Sequence, residues 1–318
     1  VSDRAAYHHG EMSLTGAIVG LAQDFVGSNN INILTPNGQF GTRLQGGKDA
    51  ASPRYIFTEI SKLAMKIFKT EDINVLNHQS EDGIDIEPEY YAPIIPMILV
   101  NGAVGIGTGF STKIPNYNPV DIINNLIRII DGDKYKEMKP YWNKFNGKVT
   151  KIDKNNFNVE GLYSIKKNKL IVTELPVGEW TQNYKDFIEK NLEQEANKKN
   201  KKSINLLNYK DNNTDERVHF ELDFADKKLD KMKDISKNYH LIKKVSLTNM
   251  HLFSSSGSIK KYNTIKDIMM EFYEKRLELY EKRREYQLDQ LKKALELISY
   301  KVKFILMVVE KKLIINNR

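Results

Sequence analysis

Residues 264–313 contain neither glycine nor proline, so the last part of the chain can form one uninterrupted helix. A helix of about fifty residues extends roughly 75 Å, which is longer than a globular domain. Its later apolar residues recur at alternating spacings of four and three. They are Leu291, Leu295, Ile298, Val302, Ile305 and Val309. Such a heptad seam needs a partner helix, so we expect an antiparallel return helix after residue 318.

The residues from 1 to about 118 are predicted to form one compact unit. Apolar positions at helical spacing predict a helix over residues 11–26, and Gly27 is expected to end it. A turn and a glycine-rich stretch follow, and a second helix is predicted over residues 54–68. Residues 71–89 are predicted to be an acidic loop facing solvent. This order is typical of a helix, a turn and a wing.

Residues 119–258 mix helical patches with alternating strand patterns, for example at 148–152 and 170–173. A Lys/Asn-rich run occupies residues 197–205, and we expect 197–202 to be a solvated loop rather than a DNA contact. The sequence therefore predicts an α+β fold in three parts, namely residues 1–118, 119–258 and 259–318. Because the chain starts at Val1 without an initiator Met, we expect it to be a fragment of a longer protein.

Charge and composition narrow the possible partners. The formal net charge of +8 and the pI near 9.2 favour a polyanion, although Lys- and Asn-rich chains can also reflect AT-rich coding DNA. The chain has no cysteine, which excludes disulfides and thiolate zinc sites. The apolar stretch at 93–103 is interrupted by Pro96, Asn101 and Gly102, so no membrane span is expected.

Arg54 and Tyr55 are the residues with the clearest chemical potential. A guanidinium can hold two phosphate oxygens, and a tyrosine beside it could attack the phosphorus to give a phosphotyrosine ester. Such an ester conserves the energy of the broken bond, so the reaction is reversible. A phenol has an ordinary pKa of about 10 and needs cationic or metal help as a nucleophile. An isolated Arg-Tyr pair is more often structural, with the tyrosine at a helix start.

The surrounding motifs identify a family. In order and spacing they resemble the winged-helix cleavage domain of eukaryotic-type DNA topoisomerase II, of nuclear or viral origin. They are YHHGEMSL (7–14), FVGSNN (25–30), GQFGTR (38–43), GGKDAASPRYIF (46–57), PIIPM (93–97) and NGAVGIGTG (101–109). Later segments also resemble the family. They are ELPV (174–177), WTQ (180–182) and KKYN (260–263).

The resemblance implies a role for particular residues. Tyr55 matches the attacking tyrosine and Arg54 the arginine that holds the phosphate. The positions that match contacts to the DNA backbone are His9, Ser13, Lys48 and, with a looser match, Gln39. His9 could instead be a capping or core histidine, and Lys48 a solvated charge.

Ile106 matches the isoleucine that the family inserts between base pairs. Glycines on either side allow the backbone to approach the DNA closely, and an apolar wedge unstacks a base step and kinks the duplex. A nucleotide-phosphate loop is rejected, because no strand, Gly-rich turn and helix unit surrounds these glycines. Val104 departs from the family, which usually has an acidic residue there, and leaves that position without an assigned role.

No metal site is predicted within the chain. An acidic cluster comprises Asp82, Asp85, Glu87 and Glu89, but it lacks metal-ligand spacing and is interpreted as a solvated loop. The resemblance implies that Mg2+ and ATP serve the intact enzyme and that the residues binding both lie outside this chain. It also implies that this chain by itself cleaves DNA poorly.

The implied function is the DNA breakage-reunion region of an ATP-dependent type II DNA topoisomerase, an isomerase. A homodimer would bind double-stranded DNA, cut it through 5'-phosphotyrosyl linkages, pass a second duplex and religate. Residues 1–118 would be the winged-helix cleavage domain, 119–258 the tower, and 259–318 the first, truncated arm of a coiled-coil exit gate. The family implies a nuclear location.

Two alternatives differ from this interpretation. A bacterial-type gyrase or topoisomerase IV breakage subunit usually has threonine and an acidic residue after the tyrosine, whereas this chain has Ile56 and Phe57. A non-catalytic DNA-bending winged-helix protein would keep the shape and lose the reaction. The presence of both Arg54 and Tyr55 argues against that second alternative.

Overall fold

A computed structural model of the chain describes residues 7–196, 206–225, 229 and 234–314, and it confirms the α+β class. The helices are α1 Glu11–Ala22, α2 Lys62–Ile67, α3 Met97–Val100, α4 Pro119–Asp131, α5 Thr181–Ala196, α6 Ile235–Asn238 and α7 Ile265–Val309. The first eight strands are β1 His78–Glu81, β2 Ile84–Pro88, β3 Ala103–Gly107, β4 Phe110–Ile114, β5 Lys148–Lys151, β6 Asn156–Glu160, β7 Leu162–Lys166 and β8 Lys169–Glu174. The others are β9 Leu206–Asp211, β10 Phe220–Phe224, β11 Ile242–Ser246, β12 His251–Phe253 and β13 Ile259–Lys261. The loop predicted at 197–202, within the Lys/Asn-rich run 197–205, lies outside the described residues.

All the strand pairs described are antiparallel. β7, β8, β10 and β9 form a four-stranded sheet in that order, and β11, β6 and β5 form a three-stranded sheet. Three separate two-stranded hairpins complete the strand structure of the described residues, namely β1–β2, β3–β4 and β12–β13. The strands predicted at 148–152 and 170–173 are confirmed as β5 and β8.

Two hydrophobic cores hold these elements together. The first gathers residues from all three predicted regions, among them Leu99, Ile122 and Met269. The second lies between the four-stranded sheet and α5, where Val172 and Phe220 pack with Ile188. The boundaries at 118 and 258 stay predictions, but the first core shows that the three regions share one packed centre.

The long C-terminal helix is confirmed. It starts at a capping box, in which Asp267 N donates to Thr264 Oγ1 at 3.1 Å and Thr264 N donates to Asp267 Oδ2 at 2.9 Å. Its early turns are partly buried, through residues such as Ile268, Met269 and Leu279. The six residues of the heptad seam are 49–71% exposed. Over the part of the chain that is described, no helix is long and apolar enough to cross a membrane.

The first predicted helix, over 11–26, ends earlier than expected, at Ala22. Gln23 has left the helical conformation, with a ψ of 135°, and its side-chain Nε2 fixes it against the following segment by donating to Phe40 O at 3.0 Å and to Gly47 O at 3.2 Å. Met12 in its first turn is exposed, and Ala22 is the buried residue of this helix.

The helix predicted over 54–68 is wrong in its first half. Pro53–Tyr55 is a single 3-10 turn, and α2 begins only at Lys62, with Ser61 Oγ accepting Ala64 N at 3.1 Å as its cap. The residues between are extended. Phe57 N donates to Asn37 O at 2.9 Å, and Asn37 N donates to Phe57 O at 3.1 Å. The β-branched residues at 56, 58 and 60 favour this pairing over a helix.

The acidic loop predicted over 71–89 is also corrected. Its second half is the β1–β2 hairpin, and Thr70–Val75 is a 3-10 helix. Asp72 is 2% exposed rather than solvated. Its carboxylate lies 2.6 Å from Arg276 Nη2 and 3.3 Å from Arg283 Nη1, both on α7. These two arginines make burial of the charge possible and anchor the first half of α7 to this region.

Candidate active site

Tyr55 and Arg54 lie together on the 3-10 turn Pro53–Tyr55. Proline fixes the first position of the turn, and Tyr55 N donates to Ser52 O at 2.9 Å. The Arg54 guanidinium carbon lies 4.9 Å from the centre of the Tyr55 ring, a cation–π contact. Tyr55 is 65% exposed. A phenol and a guanidinium are thus presented side by side on the surface, where a large substrate can reach them.

Residues 37–57 form a closed loop that carries this pair, and we call it the 37–57 loop. The backbone pairing of Asn37 with Phe57 closes its base. Further in, Ala51 N donates to Gln39 O at 2.9 Å. Near the tip, Thr42 Oγ1 donates to Asp49 Oδ2 at 2.5 Å. These three levels of contact make the loop one unit.

The structure brings four of the predicted site residues onto this loop. They are Gln39, Lys48, Arg54 and Tyr55. The side-chain oxygen of Gln39 accepts Gly41 N at 3.0 Å, so this residue has a local structural role beside the predicted DNA contact. Lys48 lies on the returning half of the loop, between the tip and the 3-10 turn.

His9 and Ser13 lie at the start of α1, which Gln23 ties to the 37–57 loop from the other end of the helix. The His9 ring makes an edge contact with Tyr7, with 5.4 Å between ring centres. Ser13 is exposed in the first turn of α1. Beside them, His8 Nε2 lies 3.0 Å from Glu81 Oε1 and links this segment to the β1–β2 hairpin.

Ile106 lies apart from the loop, on the β3–β4 hairpin opposite Ser111. It is 94% exposed, which is unfavourable for a large aliphatic side chain in water. Val104 is exposed on the same face of β3, since side chains two residues apart on a strand share a face. The departure at Val104 therefore enlarges the apolar surface beside Ile106.

Two buried ionic clusters of the described residues were missed from the sequence. Arg43 hydrogen-bonds Glu174 at the end of β8, and Asp72 pairs with Arg276 and Arg283. Arg43 and Glu174 both fall inside segments that match the family, but neither had been given a role. Periodicity cannot find such pairs, because their partners are 131 or more residues apart.

The acidic residues predicted to be solvated rather than metal-binding lie along the β1–β2 hairpin and just after it. Asp82 is in the turn, Asp85 and Glu87 are on β2, and Glu89 follows. No group of three or more histidine, aspartate or glutamate side chains in the described ranges could hold a metal ion.

A sequence profile of the family described as the A subunit of DNA gyrase/topoisomerase IV matches residues 1–318. DNA topoisomerase 2 of Acanthamoeba polyphaga mimivirus is 41% identical over 370 aligned residues, which cover 99% of this chain and 29% of the relative. DNA topoisomerase 2 top-2 of Caenorhabditis elegans is 44% identical over 322 residues, covering 100% of this chain and 21% of the relative.

A solved structure is similar over the same range. The crystal structure of the Plasmodium falciparum topoisomerase II DNA-binding, cleavage and re-ligation domain superposes with a TM-score of 0.93 at 42% identity, covering 100% of this chain and 43% of that one. This chain therefore spans between a fifth and a third of the two curated relatives, and less than half of the solved chain.

Proposed function

This chain belongs to the type II DNA topoisomerase family, and from that membership we propose that it is the DNA breakage-reunion region of an ATP-dependent enzyme of this kind. The observation that supports this most directly is the exposed Tyr55 beside Arg54 on a closed, well-tied loop.

The proposed reaction is a reversible transesterification. The Tyr55 oxygen attacks the phosphorus of a DNA phosphodiester and loses its proton. The bond from phosphorus to the 3'-oxygen breaks, and that oxygen leaves as a 3'-hydroxyl after taking up a proton. The 5'-phosphate stays joined to Tyr55. Religation is the reverse attack by the 3'-hydroxyl, which needs no added energy because one phosphoester replaces another.

Positive groups would hold the phosphate during this exchange. The Arg54 guanidinium can bind two non-bridging oxygens as a planar fork and stabilise the negative charge that develops there. Contacts to neighbouring phosphates are proposed for His9, Ser13, Gln39 and Lys48. Such contacts fix the register of the duplex but do not read its sequence.

Ile106 is proposed to enter the duplex between two base pairs. Unstacking a step costs a few kcal/mol, and burial of the exposed side chain offsets part of that cost. The bend produced would let the duplex follow a longer stretch of protein surface.

The complete enzyme is proposed to act as a nuclear homodimer on double-stranded DNA. Each Tyr55 would cut one strand, and the exposed seam of α7 would form part of a coiled-coil exit gate. The regions 1–118, 119–258 and 259–318 would be the winged-helix, tower and gate regions. ATP and Mg2+ are proposed cofactors of the complete enzyme. The named relatives support ATP and Mg2+ use in general terms, and the eukaryotic relatives favour the nucleus.

Tyr55→Phe in the complete enzyme tests the proposal. The variant should bind duplex DNA normally but leave no protein-linked DNA on a denaturing gel, because phenylalanine has no nucleophilic oxygen. Tyr91→Phe is the matched control, since Tyr91 is similarly exposed but lies outside the site. Protein-linked DNA from the Tyr55→Phe enzyme would exclude Tyr55 as the nucleophile. A wild-type enzyme that bends DNA but never forms an adduct would instead be a non-catalytic bending protein.

A further inference from the structure

The Arg43–Glu174 pair joins the tip of the 37–57 loop to the four-stranded sheet. The Arg43 side chain is 7% exposed and that of Glu174 is 1% exposed. Arg43 Nη2 donates to Glu174 Oε1, which also accepts Leu175 N at 3.0 Å. Glu174 Oε2 accepts Asn146 N at 3.3 Å. The carboxylate thus accepts two backbone N–H groups, and the guanidinium is fixed against it.

Two backbone hydrogen bonds strengthen the same junction. Thr181 N donates to Arg43 O at 3.3 Å, and Gln182 N donates to Leu44 O at 2.9 Å. Thr181 and Gln182 are the first two residues of α5, and the N–H groups at a helix start have no partner within their own helix. The loop tip therefore supplies acceptors that α5 needs, so the tip and the sheet region stabilise each other.

Gly46 lets the tip approach the sheet region closely. Its φ of +64° is in the left-handed region that favours glycine, and a Cβ atom at this position would clash with the Trp180 indole. The tip is consequently seated against a large rigid ring that immediately precedes α5.

The seated tip is rigidly connected to the nucleophile. The contacts between Thr42 and Asp49, between Gln39 and Ala51, and between Asn37 and Phe57 run from the tip to the base of the loop. Tyr55 lies just before that base. A displacement of the tip would therefore be transmitted along the loop to Tyr55.

We propose that Arg43 and Glu174 are positioning residues for the proposed cleavage reaction. Their buried pair holds the 37–57 loop on the sheet region, so that Tyr55 is presented at a fixed place relative to the rest of the DNA-binding surface. This inference rests on the proposed function. Neither side chain would touch DNA, because both are buried. Attack requires the reacting atoms to be about 3–3.5 Å apart, and a misplacement of about 1 Å can slow a reaction roughly 100-fold.

The test must separate positioning from simple stabilisation. Removing one partner leaves a buried charge unpaired and destabilises the fold, whereas removing both avoids the unpaired charge. The main variant is therefore the double change Arg43→Met with Glu174→Gln in the complete enzyme. Lys169→Met is the matched control, because it removes two ion pairs of the same sheet, with Glu221 and Asp223, that do not involve the loop.

Three quantities are measured on one defined duplex: the melting temperature of the enzyme, the Kd for the duplex, and the single-turnover rate of adduct formation. The double variant should keep its Kd within about threefold and lose at least about tenfold in adduct rate, as expected for displaced reacting groups. The control should match wild type in Kd and in adduct rate. A folded double variant with the wild-type adduct rate would overturn the inference.

Arg43→Lys decides the matter if the double variant does not fold. Lysine keeps the positive charge but not the planar fork, so the fold is retained while the tip is held less firmly. A slower adduct rate at unchanged Kd supports positioning. A rate that is unchanged, or that falls only in step with Kd, overturns it. Wild-type enzyme assayed in parallel separates the positioning role of Arg43 and Glu174 from the proposed cleavage function. Absence of a Tyr55 adduct in the wild-type enzyme would refute the proposed function itself.

Discussion

Arg54 and Tyr55 are neighbours in sequence, and the turn that Pro53 begins keeps the guanidinium carbon 4.9 Å from the ring centre. Their juxtaposition could be predicted because it is local. The Arg43–Glu174 contact could not, since it depends on how a loop and a strand end meet in three dimensions. Motif resemblance marked both segments without showing that their side chains touch.

At Arg54 the shape of the cation should matter as much as its charge. Arg54→Lys replaces the planar fork by a point charge, so we expect adduct formation to slow by about 100-fold while duplex affinity changes only a few fold. Arg284→Lys, on the exposed surface of α7, serves as the control. Single-turnover adduct formation measures the effect. An unchanged rate in Arg54→Lys would mean that the guanidinium does not hold the reacting phosphate.

The exposed side chain of Ile106 should act on DNA shape rather than on affinity. Ile106→Ala should keep duplex affinity within a few fold and relax the bend, because unstacking involves only a few kcal/mol per step. Energy transfer between dyes at the duplex ends reports the bend. Ile84→Ala changes an exposed isoleucine of another hairpin and should leave the bend intact. An equal bend with Ile106→Ala would rule out the wedge.

Among the elements, α7 was the most predictable and the segment after Tyr55 the least. A stretch without glycine or proline and with a capping residue at its start specifies a helix locally. Residues 56–60 instead take their conformation from pairing with residues 34–37, which local helical spacing cannot reveal. The hairpin at 78–88 was missed for a different reason, because its acidic composition suggested a solvated loop.

Glu271 couples α7 to the β12–β13 hairpin and should make stability depend on pH. Burial opposes ionisation of this carboxyl, but hydrogen bonds from Lys260 Nζ, Ser255 N and Tyr262 Oη outweigh it and lower its pKa to about 2. A depressed carboxyl pKa stabilises the fold above the unfolded value of about 4.5. That contribution is lost as the pH falls from about 4.5 to about 2.

Glu271→Gln should therefore lower the free energy of unfolding at neutral pH and flatten its dependence on pH below about 4.5. Chemical denaturation of the chain at a series of pH values measures both effects. Glu285→Gln changes an exposed carboxyl on the same helix and should leave the pH profile unaltered. If Glu271→Gln lowered the free energy of unfolding by the same amount at every pH, ionisation of Glu271 would not be the source of the pH dependence.

At the scale of the whole molecule, the exposed seam of α7 is an apolar stripe that the described residues leave uncovered. In the complete enzyme, Leu295→Asp with Ile298→Asp should loosen the pairing of α7 with its partner helix, because charges in a heptad seam oppose helix pairing. Limited proteolysis should then cut α7 faster than in wild type. Lys292→Ala, at an exposed position outside the seam, should leave the cutting rate unchanged. A double variant whose α7 resists protease as wild type does would show that this seam does not pack against a partner helix.

The whole-molecule arrangement could be predicted only in outline. Changes in composition and hydrophobic pattern along the sequence predicted three regions. The first core nevertheless contains Leu99, Ile122 and Met269, one residue from each of these regions. Composition changes mark where surface character changes, whereas core packing depends on which elements meet. The buried pairing of Asp72 with Arg276 shows the same limit, since it connects a segment expected to be solvated with the start of α7.

The central claim is that the Tyr55 oxygen becomes joined to a broken DNA strand. Trapped adduct can be digested with nuclease and trypsin and the peptides analysed by mass spectrometry. Cleavage after Arg54 should release residues 55–62 carrying a residual nucleotide on Tyr55. A nucleotide on any other residue, or unmodified peptide 55–62 from enzyme that has cut DNA, would contradict the account.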